Sequence, residues 1–223
     1  MGDVAGGALA APRRLDGLVQ RMEGRRVVEA GDEVAEWRPG SGTTGAWLVL
    51  GTALTVVGAG VFSLPYAVRH GGTAEVSIGG SRAWVALGAT LLLTLGLLIG
   101  HELIHGRVMA AFGAHPTYGA GMQGRLMPYF FCTAAGHRFT RTRFILITLA
   151  PAIVISLVGA TLVAFASFGS WLVFPLAFHL GGCIGDFWMV PLVLRQPPGT
   201  LVEDLKNGIR FHRARRRAVA AIP

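Results

Sequence analysis

The stretch LLLTLGLLIGHELIHGRVMAAFG, residues 91–113, decides the fold of this 223-residue chain. Its first ten residues are small or apolar apart from one threonine, and the next five include two histidines and a glutamate. About 20 mostly apolar residues cross the hydrocarbon of a bilayer as a helix. Ionisable side chains inside such a segment are costly and usually functional. The stretch therefore predicts a membrane helix that carries a functional site toward one end.

The composition of the whole chain favours the same interpretation. Apolar residues make up 52% of the sequence and charged residues only 14%, which is unusual for a soluble domain. Four runs are free of Asp, Glu, Lys and Arg over about the length that crosses a bilayer, apart from one Asp in the last of them: 46–66, 83–100, 144–168 and 171–194. We therefore predict an all-α integral membrane protein with about four transmembrane helices. A buried hairpin of a soluble protein is the alternative for the last two runs.

These spans divide the chain into three predicted parts. Residues 1–44 form a cytoplasmic N-terminal segment, 45–194 a four-helix membrane core, and 195–223 a basic cytoplasmic tail. Within the first part, GRRVVEAGDEVAEWRPG (residues 24–40) is compatible with a strand pair or an amphipathic helix. Between helices two and three, aromatic and β-branched residues alternate with glycines at turn spacing. That pattern predicts a small membrane-surface β-hairpin, at about 117–122 and 126–133.

The placement of basic residues predicts the orientation in the membrane. Of the 20 Lys and Arg residues, 18 fall in the N-terminal segment, the central loop and the tail, which all lie on one side of the four spans. Because basic residues concentrate on the cytoplasmic side, a multi-pass protein of the cell membrane with both termini in the cytoplasm is expected. The arginines of the tail can contact anionic lipid headgroups or remain solvated. The net charge of +8 thus reflects topology rather than nucleic-acid binding.

The sequence HELIH, His101 to His105, matches H-E-x-x-H. Two imidazoles four residues apart on one helix face can both ligate a single Zn²⁺. Glu102 then lies beside the metal, where a carboxylate can accept a proton from water that the metal has made acidic. The alternative is a pair of interfacial histidines that bond to lipid headgroups. The motif therefore predicts zinc ligands at both histidines and a catalytic base at Glu102.

A third protein ligand is expected because catalytic zinc usually has three. Asp186 lies inside an apolar run, where an unpaired carboxylate costs on the order of 2.5–3.5 kcal/mol. At 1.5 Å per residue, His101 and Asp186 lie about 28 Å and about 24 Å from the outer ends of their helices, so they are at similar depth. Asp186 is therefore the predicted third ligand. His179 is expected to hydrogen-bond a zinc ligand or the transition state rather than to bind the metal, and Cys183 is a weaker alternative as a soft ligand.

Three blocks, HELIHG, GDFWM and LVEDLKNGIRF, resemble those of the zincin membrane peptidases of bacteria and archaea, long catalogued as a domain of unknown function. The resemblance runs from about Gly96 to Phe211. It implies a multi-helix membrane metallopeptidase distantly similar to the site-2 proteases. His101, His105 and Asp186 would be the zinc ligands and Glu102 the catalytic base, and the hairpin resembles a site-2 protease feature that holds extended substrate.

Together these features predict an intramembrane zinc metalloprotease. It would cleave membrane-associated proteins or peptides near the cytoplasmic face, with zinc activating water and Glu102 acting as general base. The alternative is a non-catalytic membrane protein that binds metal or handles ions through the same cluster of His101, His105, His179 and Asp186. In that case Glu102 would be one more ligand.

Overall fold

The computed structural model describes residues 26–29, 32–72, 82–123 and 127–214. Four helical spans in these ranges are long and apolar enough to cross a membrane, as predicted. They are α1 (Ser41–His70), α2 (Arg82–Ala111), α3 (Arg141–Phe165), and a fourth span, Gly169–Leu194, made of α4 (Gly169–Gly182) and α5 (Ile184–Leu194). The fourth span is interrupted at Cys183, directly before the turn of helix that carries Asp186.

The helices begin earlier than the charge-free runs predicted, because polar residues form their first turns. Helix α3 starts at Arg141 rather than 144, where the hydroxyl of Thr140 accepts a hydrogen bond from the backbone N–H of Arg143. It ends at Phe165, three residues before the end of the predicted run. Side-chain oxygens at the N-cap satisfy amides that have no partner within the helix. The apolar pattern locates the spans but not their polar ends.

The bundle is held together by close helix crossings. Helix α1 packs chiefly against α4, and α2 packs against α3 and α4. A side chain at Gly181 would collide with the hydroxyl of Thr55 and the carbonyl oxygen of Gly51. Small residues let helix backbones approach closely in membranes, where packing rather than hydrophobic burial drives association. Gly181 therefore sets the distance between α1 and α4.

Seven strands complete the fold. They are β1 (Arg26–Glu29), β2 (Asp32–Trp37), β3 (Thr117–Gln123), β4 (Met127–Thr133), β5 (Arg138–Thr140), β6 (Leu201–Leu205) and β7 (Gly208–Ala214). Strands β3 and β4 form the hairpin expected between helices two and three, and its bounds differ from the prediction by one residue at two of the four ends. The other five form an antiparallel sheet in the order β1-β2-β7-β6-β5.

The five-stranded sheet corrects one expectation and decides between two alternatives that the sequence left open. The all-α class is too narrow, because the helical core is accompanied by two antiparallel sheets. The N-terminal segment forms a strand pair rather than a helix, and β2 pairs with β7 near the end of the chain, with Val34 opposite His212. Pairing between residues so far apart in sequence leaves no local periodicity, which is why the sequence pattern did not show it. The last part of the tail, 215–223, lies outside the described residues.

One face of this sheet carries ion pairs. Arg210 in β7 bonds the carboxylates of Glu36 and Glu203, and His212 bonds Glu203 at 2.8 Å. The hydrogen bonds from Arg210 hold the pKa of Glu36 below its usual range. The opposite face is apolar: Val202, Ile209 and Phe211 are buried against Trp37 and the ends of α2, α3 and α5. The sheet thus closes the end of the bundle at which the histidines of α2 lie.

Candidate metal centre and active site

The structure brings the three predicted ligands together. His101 Nε2 lies 3.0 Å from His105 Nε2 and 3.1 Å from one oxygen of Asp186. The other oxygen of Asp186 is 3.5 Å from His105 Nε2. Four residues separate the two histidines, so both project from the same face of α2. Asp186 reaches them from the first turn of α5, where a carboxylate also interacts favourably with the helix dipole.

The contacts of the Nδ1 atoms of His101 and His105 indicate what the Nε2 atoms of the same rings offer to the cluster. His105 Nδ1 donates to the carbonyl oxygen of Ile147 at 2.9 Å, because a carbonyl can only accept. When the ring is neutral, its Nε2 therefore presents a lone pair to the cluster. His101 Nδ1 lies 3.0 Å from His179 Nε2, and when it donates there its own Nε2 also presents a lone pair. Two imidazole lone pairs and a carboxylate then converge, an arrangement that a cation stabilises.

The donor set fits zinc. Two imidazole nitrogens and one carboxylate oxygen form a known type of catalytic zinc site, with a fourth position left for water or substrate. A tetrahedral ion with bonds of about 2.1 Å separates neighbouring donor atoms by about 3.4 Å. The three separations of 3.0, 3.1 and 3.5 Å require shifts of at most a few tenths of an ångström to reach that value. His101, His105 and Asp186 would therefore hold the ion.

A second group of possible ligands lies on the other side of His101. His101, His179 and Cys183 also offer donor atoms within 4.8 Å of one another. Cys183 Sγ is 3.9 Å from His101 Nδ1 and 3.8 Å from His179 Nε2. His101 faces the two groups with different ring nitrogens. Because ligating histidines usually donate their other N–H to a fixed acceptor, His179 fits best as that acceptor and not as a ligand.

Glu102 lies beside the three ligands, as a catalytic base must. Its carboxylate lines the same cavity as His101, His105 and Asp186. The backbone N–H of Cys132 in β4 lies close to this carboxylate. The carboxylate therefore lies between the helix and the hairpin. Glu102 is therefore placed to exchange a proton with a molecule bound in the cavity.

The hairpin packs closely on α2, the helix that carries His101 and His105. Any side chain at Gly106, directly after HELIH, would collide with the ring and hydroxyl of Tyr118 in β3. A glycine at this position therefore allows β3 to rest on α2. The sequence pattern alone predicts no role for this glycine, although it belongs to the block HELIHG.

The cavity has a volume of about 260 Å³, and part of its wall was not anticipated. Besides the metal-binding side chains, its lining includes Asp204 and the Lys206–Asn207 turn between β6 and β7. The hydroxyl of Tyr129 in β4 donates to the side-chain oxygen of Asn207 at 2.5 Å, and Lys206 lies over the ring of Phe131. These contacts join the turn to the hairpin at the cavity. Asp204 and Asn207 belong to the block LVEDLKNGIRF, for which sequence reasoning proposed no role.

A helix that carries H-E-x-x-H, with a carboxylate from a second helix at the same point, defines a site of the zincin type of metallopeptidase. A family model described as "Putative zincin peptidase" matches residues 94–201, which include His101, Glu102, His105 and Asp186. Through this region the chain is similar to that family, as the resemblance implied. No curated protein and no solved structure matches the chain. The distant similarity to site-2 proteases therefore stays a prediction.

Proposed function

We propose that this protein is an intramembrane zinc metalloprotease that hydrolyses peptide bonds of membrane-associated substrates near the cytoplasmic face. The observation that carries the proposal is the convergence of His101, His105 and Asp186 in a cavity that also contains Glu102. The cavity lies at the end of the bundle covered by the five-stranded sheet. Similarity to the zincin peptidase family supports metallopeptidase activity.

The side chains of the cavity supply the remaining chemistry. Zinc, when bound, polarises the scissile carbonyl and lowers the pKa of water. Glu102 accepts the proton of the attacking water and later delivers it to the leaving amine. The Cys132 amide, which lies close to Glu102, can donate a hydrogen bond to its carboxylate during both transfers. His179 holds the ring of His101, and the Ile147 carbonyl holds that of His105.

The hairpin offers an edge for an extended substrate. In the described residues β4 pairs with β3 alone, and the N–H of Cys132 points away from β3 toward Glu102. Residues Tyr129 to Cys132 line the cavity along the same edge. A substrate strand that joins this edge would be bound through its backbone, with little demand on its side chains. The helical substrate must unwind locally, because a helix shields its carbonyl groups.

Removal of the metal tests the activity. The purified protein, treated with a chelator and dialysed in detergent, is expected to lose cleavage of an extended peptide and to recover it with about one zinc ion per chain. Quenched fluorescent peptides would measure both rates. Cleavage that survives complete removal of zinc would contradict the proposal.

The proposed orientation places both termini in the cytoplasm. The sheet supports this, since β2 precedes α1 and β6 follows α5, yet both belong to one sheet. We expect cysteines that replace Ser41, Gln123 and Arg215 to react with a membrane-impermeant label only from the cytoplasmic side. A cysteine that replaces Ser77 should react from outside. Residues 77 and 215 lie outside the described ranges. Labelling at position 123 from outside would overturn the four-span topology.

A further inference from the structure

Asp204 is a carboxylate on the apolar face of the five-stranded sheet. Along β6, Val202 and Asp204 share one face, because side chains alternate along a strand. Val202 is fully buried, and so is Ile209, which lies opposite Asp204 in β7. Asp204 itself is only 9% exposed, and it lines the cavity of the metal site. A charged residue at a core-facing position therefore borders the place where substrate would bind.

The structure gives Asp204 no ionic partner. Among the described residues no Lys, Arg or His nitrogen lies within ion-pair distance of its carboxylate. Its polar neighbour is Thr133, whose hydroxyl donates to the Asp204 backbone carbonyl at 3.0 Å and also lies near the carboxylate. The adjacent Glu203 differs, since it is paired with Arg210 and His212. Burial raises the pKa of Asp204 to about 7. A buried carboxylate without a cation is costly, which favours a partner supplied from outside the chain.

The charges around the cavity indicate the sign of that partner. A divalent ion together with the carboxylates of Asp186 and Glu102 is electrically neutral. Asp204 adds one further negative charge, and Lys206, which also lines the cavity, balances it in number without forming an ion pair with it. Lys206, the base at the cavity wall, lies over the ring of Phe131 with its nitrogen 4.7 Å from the ring centre. The indole rings of Trp37 and Trp47, 6.4 Å apart, line the same cavity and can contact an alkyl chain or a cation.

We propose that Asp204 is a specificity residue whose carboxylate binds a cationic group of the substrate next to the scissile bond. The inference rests on the proposed protease function and adds the substrate class. An ammonium or a guanidinium group would satisfy the carboxylate. Such a group comes either from a basic side chain or from the free N-terminus of the substrate, and peptides can distinguish the two sources.

Three matched fluorogenic peptides test the proposal: an acetylated neutral peptide, the same peptide with Lys beside the scissile bond, and the neutral peptide with a free N-terminus. The wild-type protein is expected to cleave one of the two cationic peptides with a kcat/KM at least about tenfold above that of the neutral peptide. In Asp204→Asn this preference should fall to less than about threefold, chiefly through KM. Cleavage of the neutral peptide should change by less than about twofold.

Two further variants separate recognition from a structural effect. Asp204→Glu keeps the charge and should retain most of the preference, whereas Glu203→Gln removes the neighbouring charge on the other face and should keep it fully. Equal loss of cleavage for all three peptides in Asp204→Asn would overturn the proposal, as would a wild-type protein that cleaves all three at the same rate. Cleavage of none of them would instead overturn the protease function and this inference with it.

Discussion

Replacement of Glu102 by Gln is expected to lower peptide cleavage by at least about a hundredfold, the low end of what a general base contributes. Gln keeps the volume of Glu102 and can still accept the hydrogen bond from the Cys132 amide. It cannot accept the proton of water. Because Glu102 is not one of the three residues whose donor atoms converge, zinc should remain at about one ion per chain. Metal analysis and single-turnover cleavage of the same preparation would measure both quantities.

The matched control is Glu203→Gln, the same change at a residue paired within the sheet. That variant should keep its zinc and its rate, although its stability should fall because it breaks buried hydrogen bonds. An unchanged rate in Glu102→Gln would exclude Glu102 as the base. Loss of zinc in Glu102→Gln would instead make this residue a ligand, which would favour a metal-handling protein.

Replacement of Asp186 by Ala is expected to abolish both zinc binding and cleavage. Asp186 contributes the one anionic donor of the three, and its oxygens lie 3.1 and 3.5 Å from the two histidines. The helices should still assemble, because a costly carboxylate is replaced by a methyl group. Asp186→His offers another zinc donor of different length, so partial occupancy with poor turnover is expected. Zinc content by mass spectrometry and thermal unfolding in detergent would check these outcomes.

His179→Ala and Cys183→Ala are the controls for this ligand set. Both residues are buried beside His101, and both belong to the second group of possible donors. Each variant should retain zinc, with affinity lowered by no more than about a hundredfold in His179→Ala, since a residue that orients a ligand has an effect of that size. Full zinc in Asp186→Ala together with loss of zinc in His179→Ala would assign the metal to the second group.

The sequence predicted the four spans, the hairpin and the placement of the three metal-site side chains. These features depend on local rules: the length of apolar runs, the four-residue spacing of His101 and His105, and the rise per residue that puts Asp186 at the depth of His101. The break in the fourth span at Cys183 was not predicted, because the apolar pattern continues across it. The predicted depth of Asp186 still holds, because the break at Cys183 changes the distance along the fourth span by little.

The five-stranded sheet and the role of Asp204 depend on contacts that local patterns do not show. The whole helical core separates β2 from its partner β7 in the sequence, so each strand by itself is only a short segment of mixed polarity. Asp204 follows Glu203, and a pair of acids in a basic tail is typical of a solvated surface. Only the pairing of β6 with β7 determines whether Glu203 or Asp204 points toward the cavity. The sequence did offer one signal for the position of Asp204: it lies two residues after Val202, so the two side chains share one face of a strand.

X-ray absorption at the zinc edge tests the central claim most directly, because the two possible ligand groups differ in sulfur. Zinc held by His101, His105 and Asp186 should show only nitrogen and oxygen neighbours, at about 2.0–2.2 Å, with the signature of two imidazoles. That spectrum should be unchanged in Cys183→Ala. A sulfur neighbour at about 2.3 Å that disappears in Cys183→Ala would place the metal between His101, His179 and Cys183, and would contradict the account.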